Sequence, residues 1–175
     1  MITLIVGKSN TGKSALAESL ALETGRKVYY VATMKVMDDA GRERVLKHRQ
    51  QREGKGFITI EREKDIAHVL DACCDAGGSV VLLECVANLV SNLIFDDPSF
   101  DMKGIDAKAE CERIAGIAAD DIKELSGKVR DMIIVTDEYE RDGEGYDDPT
   151  RFYVRTLSRT NELIKPFCDD VRDLT

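Results

Sequence analysis

Residues 7–14 read GKSNTGKS, and no other stretch constrains the fold as tightly. Two glycines bracket four residues and are followed by a lysine and a hydroxyl, the complete G-x-x-x-x-G-K-[ST] pattern of a phosphate-binding loop. Its surroundings give the pattern meaning. The run 2–6 (ITLIV) before it is a short β-type segment, and 13–25 after it reads as a helix stopped at Gly25. A strand, a glycine loop and a helix in that order point to an α/β P-loop architecture. Gly7 and Gly12 allow backbone angles denied to other residues. The amides of Lys8, Ser9, Asn10, Thr11 and Gly12 then form a nest for phosphate oxygens, and the helix start adds its positive dipole end. Lys13 is placed to reach the β and γ phosphates, and the Ser14 hydroxyl to sit on Mg2+. The expected ligand is a nucleoside triphosphate.

The remainder alternates in the same way. Strands are predicted over 27–33, 57–61, 79–84 and 131–138, and helices over 40–53, 65–77, 86–95, 106–125 and 150–167. The run 79–84 (SVVLLE) is the most hydrophobic and is expected at the centre of the sheet, buried on both faces. A glycine- and acid-rich loop, 142–149, is of the kind that lines or covers a site. With 175 residues and no repeat or linker, the chain reads as one domain, 1–175. Strand–helix alternation implies a mostly parallel sheet with helices on both faces.

Charge and cysteine content remove several function classes. A net charge of −8 argues against a general nucleic-acid or anionic-membrane surface, since both require a basic face. The apolar run at the N-terminus is far too short to span a bilayer. Five cysteines without a C-x-x-C pair, beside only two histidines, do not spell a zinc site. An odd cysteine count without a leader peptide fits a reducing cytoplasm.

A phosphate loop also needs a carboxylate at the end of a nearby strand, close to the magnesium. Glu84 is preferred over Asp137 and Glu138 because its strand is the more uniformly apolar; a plain helix-capping role for Glu84 stands beside that reading. In RERVLKHRQQR (42–52), His48 sits among Arg42, Arg44, Lys47, Arg49 and Arg52. Such a run is either a solvated helix face or a phosphate-handling segment whose histidine forms a covalent phosphoramidate steadied by cations. His68, on an apolar helix face, reads as structural.

Taken in order, GKSNTGKS, YVAT (30–33), R-V-x-x-H-R-x-x-R (44–52) with Glu61 beyond, LLEC…SNL (82–93), and VTDE (135–138) leading to R…R-x-N (151–161) are similar to one family. It is the bifunctional adenosylcobinamide kinase / adenosylcobinamide-phosphate guanylyltransferase family of cobalamin biosynthesis. The resemblance runs from residue 2 to about residue 164. It implies a RecA-like sheet, a trimer or other homo-oligomer, and two reactions. One phosphorylates the aminopropanol hydroxyl of adenosylcobinamide with ATP or GTP. The other transfers GMP from GTP to the resulting adenosylcobinamide phosphate through a guanylylated histidine, giving adenosylcobinamide-GDP. The family's nucleotidylated histidine falls at His48, with Lys13 beside it as the second catalytic residue. Arg44, Arg49 and Arg52 are then expected to hold triphosphate or corrinoid phosphate, Thr33 and Glu61 to join the nucleotide-binding set, and Ser14 and Glu84 to hold Mg2+.

Departures from the family pattern are also present. Lys8 and Asn10 stand where a glycine and an arginine are usual, Ala40-Gly41 replaces Glu-Met, and Phe57 replaces a tryptophan. Ala87 replaces a threonine, and Asp137-Glu138-Tyr139-Glu140 replaces Asn-Glu-Val-Gly. Val154-Arg155 and Ser158 replace Arg-Asp and Gly. The family usually continues into a last strand beyond the position where this chain stops at Thr175, so a final strand is expected to be missing. Another small-molecule P-loop kinase and a non-catalytic RecA-like nucleotide-binding module stay open as alternatives.

Overall fold

The apolar runs become the strands of one sheet. The structure is a computed structural model that describes all residues except 37, 38, 99, 105, 141 and 142, and the backbone alone of 40, 44, 48 and 51. Strands β1 (Ile2–Gly7), β2 (Val28–Ala32), β3 (Ile58–Glu61), β4 (Val80–Glu84), β5 (Asp131–Asp137) and β6 (Asp170–Leu174) lie in the order β3-β2-β4-β5-β1-β6. Every pairing is parallel. The helices are α1 (Lys13–Glu23), α2 (Asp39–Arg52), α3 (Val86–Phe95), α4 (Ala107–Gly127) and α5 (Asp148–Ile164). The expected α/β sheet with helices on both faces is present, and it is parallel throughout.

Strands covered on both faces need continuous apolar runs, and Val80 to Leu83 are fully buried. Alternation along each strand sorts the core into two layers. Leu4, Val31, Leu83 and Ile134 pack with Leu89 of α3, Ile122 of α4 and Leu157 of α5. On the other face Ile5, Tyr30, Leu82 and Val135 pack with Ala17 and Ala21 of α1. One face thus carries three helices and the other chiefly one. α2 lies on the surface: Leu46 is 54% exposed, and Gly41 and Arg52 are the buried positions among its described residues.

Helix starts differ in a way that matters for the site. Asp106 caps α4 by accepting from the amides of Lys108 and Ala109, each at 3.1 Å, and Asp147 caps α5 by accepting from the Thr150 amide at 2.9 Å. α1 begins at Gly12, in the left-handed region at φ 85°, with no side-chain cap. Its first amides are therefore left for a ligand.

Three expectations are corrected. The helix predicted over 65–77 is two separate 3-10 turns, Ile66–His68 and Ala76–Gly78. Asp65 stands in the left-handed region at φ 54°, and Lys128 Nζ donates to the Ala67 carbonyl at 2.7 Å, occupying an acceptor that a continuing helix would use. His68 accordingly lies on no apolar face: it is 55% exposed, with Nδ1 2.8 Å from Asp71 Oδ2. Finally, the last helix ends at Ile164, and residues 170–174, where no strand was expected, form β6 beside β1. Val171, Arg172 and Asp173 are exposed on this edge strand, so no apolar alternation marks it in the sequence.

Candidate active site

All six strands run in one direction, so their carboxyl ends meet along one edge of the sheet, and the candidate residues collect there. The loop leaves β1 at Gly7, where the backbone passes so close to its neighbours that an added Cβ would stand 2.8 Å from Thr11 Oγ1 and 3.1 Å from Leu174 Cβ. Asn10 at φ 63° and Gly12 at φ 85° turn the chain; asparagine is one of the few residues besides glycine that visits this region readily. The Lys8 carbonyl accepts from Thr11 Oγ1 at 2.9 Å and from Lys13 Nζ at 2.5 Å. These bonds close the loop on itself.

Two carboxylates face the loop from neighbouring strand ends. Asp137, opposite Gly7 in the β1–β5 register, forms an ion pair with the largely buried Lys13 at 2.9 Å. Glu84, at the end of β4, accepts from Ser14 Oγ through Oε1 and from Tyr30 Oη at 2.5 Å through Oε2. The supports reach further back. Tyr139 donates to Asp137 Oδ2 at 3.1 Å; burial, then the Asp137 charge, pushes its hydroxyl up to about 12. Asn161 of α5 accepts from Thr136 Oγ1 at 2.8 Å and donates to the Asp137 carbonyl at 3.0 Å. Burial, followed by the Glu84 charge, raises the Tyr30 hydroxyl well above its ordinary value, so it stays a donor.

These groups border a cleft of about 1030 Å³. Ser9, Asn10, Lys13 and Ser14 line one wall; Val45, Arg49 and Arg52 of α2, with Glu61 at the end of β3, line the other. Arg49 pairs with Glu61. Arg52 lies over Tyr30, its guanidinium carbon 3.6 Å from the ring centroid. Lys35 and Lys64 both approach Asp96 at the end of α3, at 2.8 and 3.6 Å.

The structure thus brings together most of the residues singled out from sequence. Thr33 stands apart: it is fully buried, donating to the Cys85 carbonyl at 2.7 Å and accepting from the Cys85 amide at 2.9 Å. It fastens the end of β2 to the segment after β4 and does not line the cleft. His48 lies on α2 between the cleft-lining positions 45 and 49, but its side chain, like that of Arg44, lies outside the described residues. Tyr30, Tyr139 and the Lys13–Asp137 pair escape sequence reading; the VTDE run at a strand end was the one signal for the last.

Among the described residues no group of three His, Cys, Asp or Glu side chains could hold a metal alone. Mg2+ suits what is here, because it takes one or two protein ligands and completes its shell with water and nucleotide phosphate. The Ser14 hydroxyl and the Glu84 carboxylate, in direct contact, could serve as such a pair.

The comparisons with known proteins bear on this arrangement. A family model described as cobinamide kinase / cobinamide phosphate guanyltransferase matches residues 3–174. The chain belongs to this family. It is 30% identical to the bifunctional adenosylcobalamin biosynthesis protein CobP of Pseudomonas aeruginosa, over 98% of this chain and 91% of that one. It is 38% identical to the bifunctional adenosylcobalamin biosynthesis protein CobU of Escherichia coli over 55% of this chain, and 33% identical to CobU of Salmonella typhimurium over 54%. The matched part spans 51%, about half, of each of those two relatives. Among solved structures the chain is similar to the RadB recombinase, with a TM-score of 0.42 and 17% identity, over 87% of this chain and 70% of that one. Two of this chain's departures from the family loop have a clear place in the structure. Asn10 suits the left-handed turn, and Lys8, exposed, contributes its carbonyl to hold Lys13. Among the described residues no helix is long and apolar enough to cross a membrane.

Proposed function

We propose that this chain phosphorylates adenosylcobinamide and then guanylylates the product, using ATP or GTP with Mg2+. The observation that carries the proposal is that the phosphate loop and α2 line one cleft. On one side Lys13 and Ser14 sit against Asp137 and Glu84; on the other α2 carries position 48 between residues that line the same space. In the kinase step the aminopropanol hydroxyl oxygen bonds to the γ-phosphorus, its proton passes to a base, and the nucleoside diphosphate leaves. Lys13 and the amides at the start of α1 take up the charge on the phosphoryl oxygens. In the transferase step a ring nitrogen of His48 bonds to the α-phosphorus of GTP, and pyrophosphate leaves. A phosphate oxygen of adenosylcobinamide phosphate then attacks that phosphorus and breaks the P–N bond, giving adenosylcobinamide-GDP and free histidine.

Arg44 and Arg49 flank position 48 and would offset phosphate charge during both transfers. Ser14 and Glu84 would hold Mg2+, which when bound polarises the phosphoryl oxygens. Five cysteines without disulfides support a cytoplasmic setting, and assembly with copies of itself, as a trimer, is part of the same reading.

The test is incubation with Mg2+ and α-labelled GTP followed by a denaturing gel, beside His48→Ala. Label on the natural chain that is acid-labile, base-stable and absent from the variant is the expected result. GTP binding by both proteins with label on neither would overturn the transferase step and leave a P-loop kinase. Tight nucleotide binding with no transfer to any corrinoid would leave a binding module.

A further inference from the structure

We propose that Tyr30 is a positioning residue that aims the Glu84 carboxylate at the divalent cation of the bound nucleotide, and that Arg52 holds Tyr30 in place. The proposal rests on Ser14 and Glu84 being the cation side of the phosphate loop. The register sets the pair up. Tyr30 lies opposite Leu82 and Ala32 opposite Glu84, so Tyr30 and Glu84 are diagonal neighbours on the sheet face that carries α1. Each carboxylate oxygen has its own partner: Oε1 takes the Ser14 hydroxyl and Oε2 the Tyr30 hydroxyl at 2.5 Å. With Oε2 pinned, Oε1 points in one direction, toward Ser14. Mg2+ demands near-octahedral ligand placement, and groups that orient a metal's ligands contribute to its affinity.

Tyr30 itself is fixed. It is 3% exposed, and its ring meets Phe57 at 6.3 Å between centroids. Arg52 is 6% exposed, and its Nε and Nη1 are buried without a hydrogen-bond partner. A guanidinium so enclosed normally meets a carboxylate or phosphate; here its close contact is the Tyr30 ring, at cation–π distance. Those two nitrogens are enclosed against the ring, so Arg52 holds the stack while it also borders the cleft. Because Arg52 is the last residue of α2, two side chains connect that helix to the cation side of the loop.

The experiment uses Mn2+ as probe, counted by electron paramagnetic resonance on the full chain with a non-hydrolysable GTP analogue. Affinity for the analogue in EDTA is measured alongside by calorimetry. Tyr30→Phe keeps the ring and removes one hydroxyl. It is expected to weaken Mn2+ binding about 10-fold while the metal-free nucleotide affinity stays at the natural value. Arg52→Met keeps the Tyr30 hydroxyl and is expected to weaken Mn2+ binding about threefold, a fraction of what one desolvated cation–π contact contributes, because the ring keeps its Phe57 contact. Glu84→Gln is the reference, losing at least as much as Tyr30→Phe. Mn2+ bound by Tyr30→Phe within about twofold of the natural chain, with Glu84→Gln defective, would overturn the positioning role and leave the cation site standing. Natural affinity in Glu84→Gln would overturn the cation site itself, and this proposal with it.

Discussion

The wall of the cleft that carries the phosphate loop grows out of buried strands, whereas the wall formed by α2 and β3 lies at the exposed edge of the sheet. β1 lies between β5 and β6, and Leu4, Ile5 and Val6 are essentially without solvent contact. β3 is an edge strand with Ile58 39% exposed, and α2 reaches the body through the Arg49–Glu61 pair and the Arg52–Tyr30 stack. The difference follows from what each wall must do. Stabilising charge on a phosphoryl group requires donors fixed before the reaction begins, and only a packed core supplies that stiffness. A wall whose contacts, among the described residues, are mainly polar belongs to the low-stability end of a structure, from which substrate-handling elements are drawn.

The largest effect is expected where the packed layer itself is cut. Ile122→Ala on α4 removes a fully buried side chain and should lower the unfolding free energy by about 3 kcal/mol in urea titration. A loss below about 1 kcal/mol would mean that the three-helix layer is not the anchor of the loop wall. An intermediate effect is expected at Asp96, where Lys35 and Lys64 fasten the segments after β2 and β3 to α3. The hydrogen bond from Lys35 holds this carboxyl below its ordinary 3.8 in spite of desolvation. A depressed folded value means that the stabilisation is complete above the unfolded value of about 3.9 and is lost as pH falls through the folded one. The stability difference between the natural chain and Asp96→Asn should therefore be constant near neutral pH and vanish in acid. A difference that persists in acid would assign it to packing. The smallest effect is expected for Arg49 and Glu61, both about half exposed. A double-mutant cycle with alanines should give a coupling of about 0.5 kcal/mol. A coupling above about 1.5 kcal/mol would erase the contrast between the two walls.

The sequence made the loop wall legible because its signals are local. The glycine spacing of 7–14 and the continuous apolar runs at 79–84 and 131–138 each report burial within a few residues. The carboxylates at the ends of β4 and β5 followed from the same runs. What escaped depends on neighbours distant in the chain. Tyr30 acquires its role only because the β2–β4 register sets it diagonal to Glu84. β6 is held as a strand by β1 alone, on an exposed edge, and so shows no apolar period. The stretch 65–77 has helix-compatible residues, but a left-handed Asp65 and a lysine from beyond α4 divide it. α2 was readable as a helix while the roles of its arginines were not, since composition cannot distinguish a stack on tyrosine from a phosphate contact.

The place of β1 in the sheet also sets an order of events during synthesis. β1 leaves the ribosome well before the two strands that flank it: residues 2–7 match Met132–Asp137 on one side, and residues 3–7 match Asp170–Leu174 on the other. β2, β3 and β4 can join one another once Glu84 has emerged, but β1 must wait for β5. At about 5–20 residues per second, that wait is on the order of ten seconds. Through it the ITLIV segment is an unpaired apolar edge. The phosphate loop, lacking Asp137 beside Lys13, has no formed cradle to offer a nucleotide, so a nascent chain gains nothing from cellular GTP until β5 has been made.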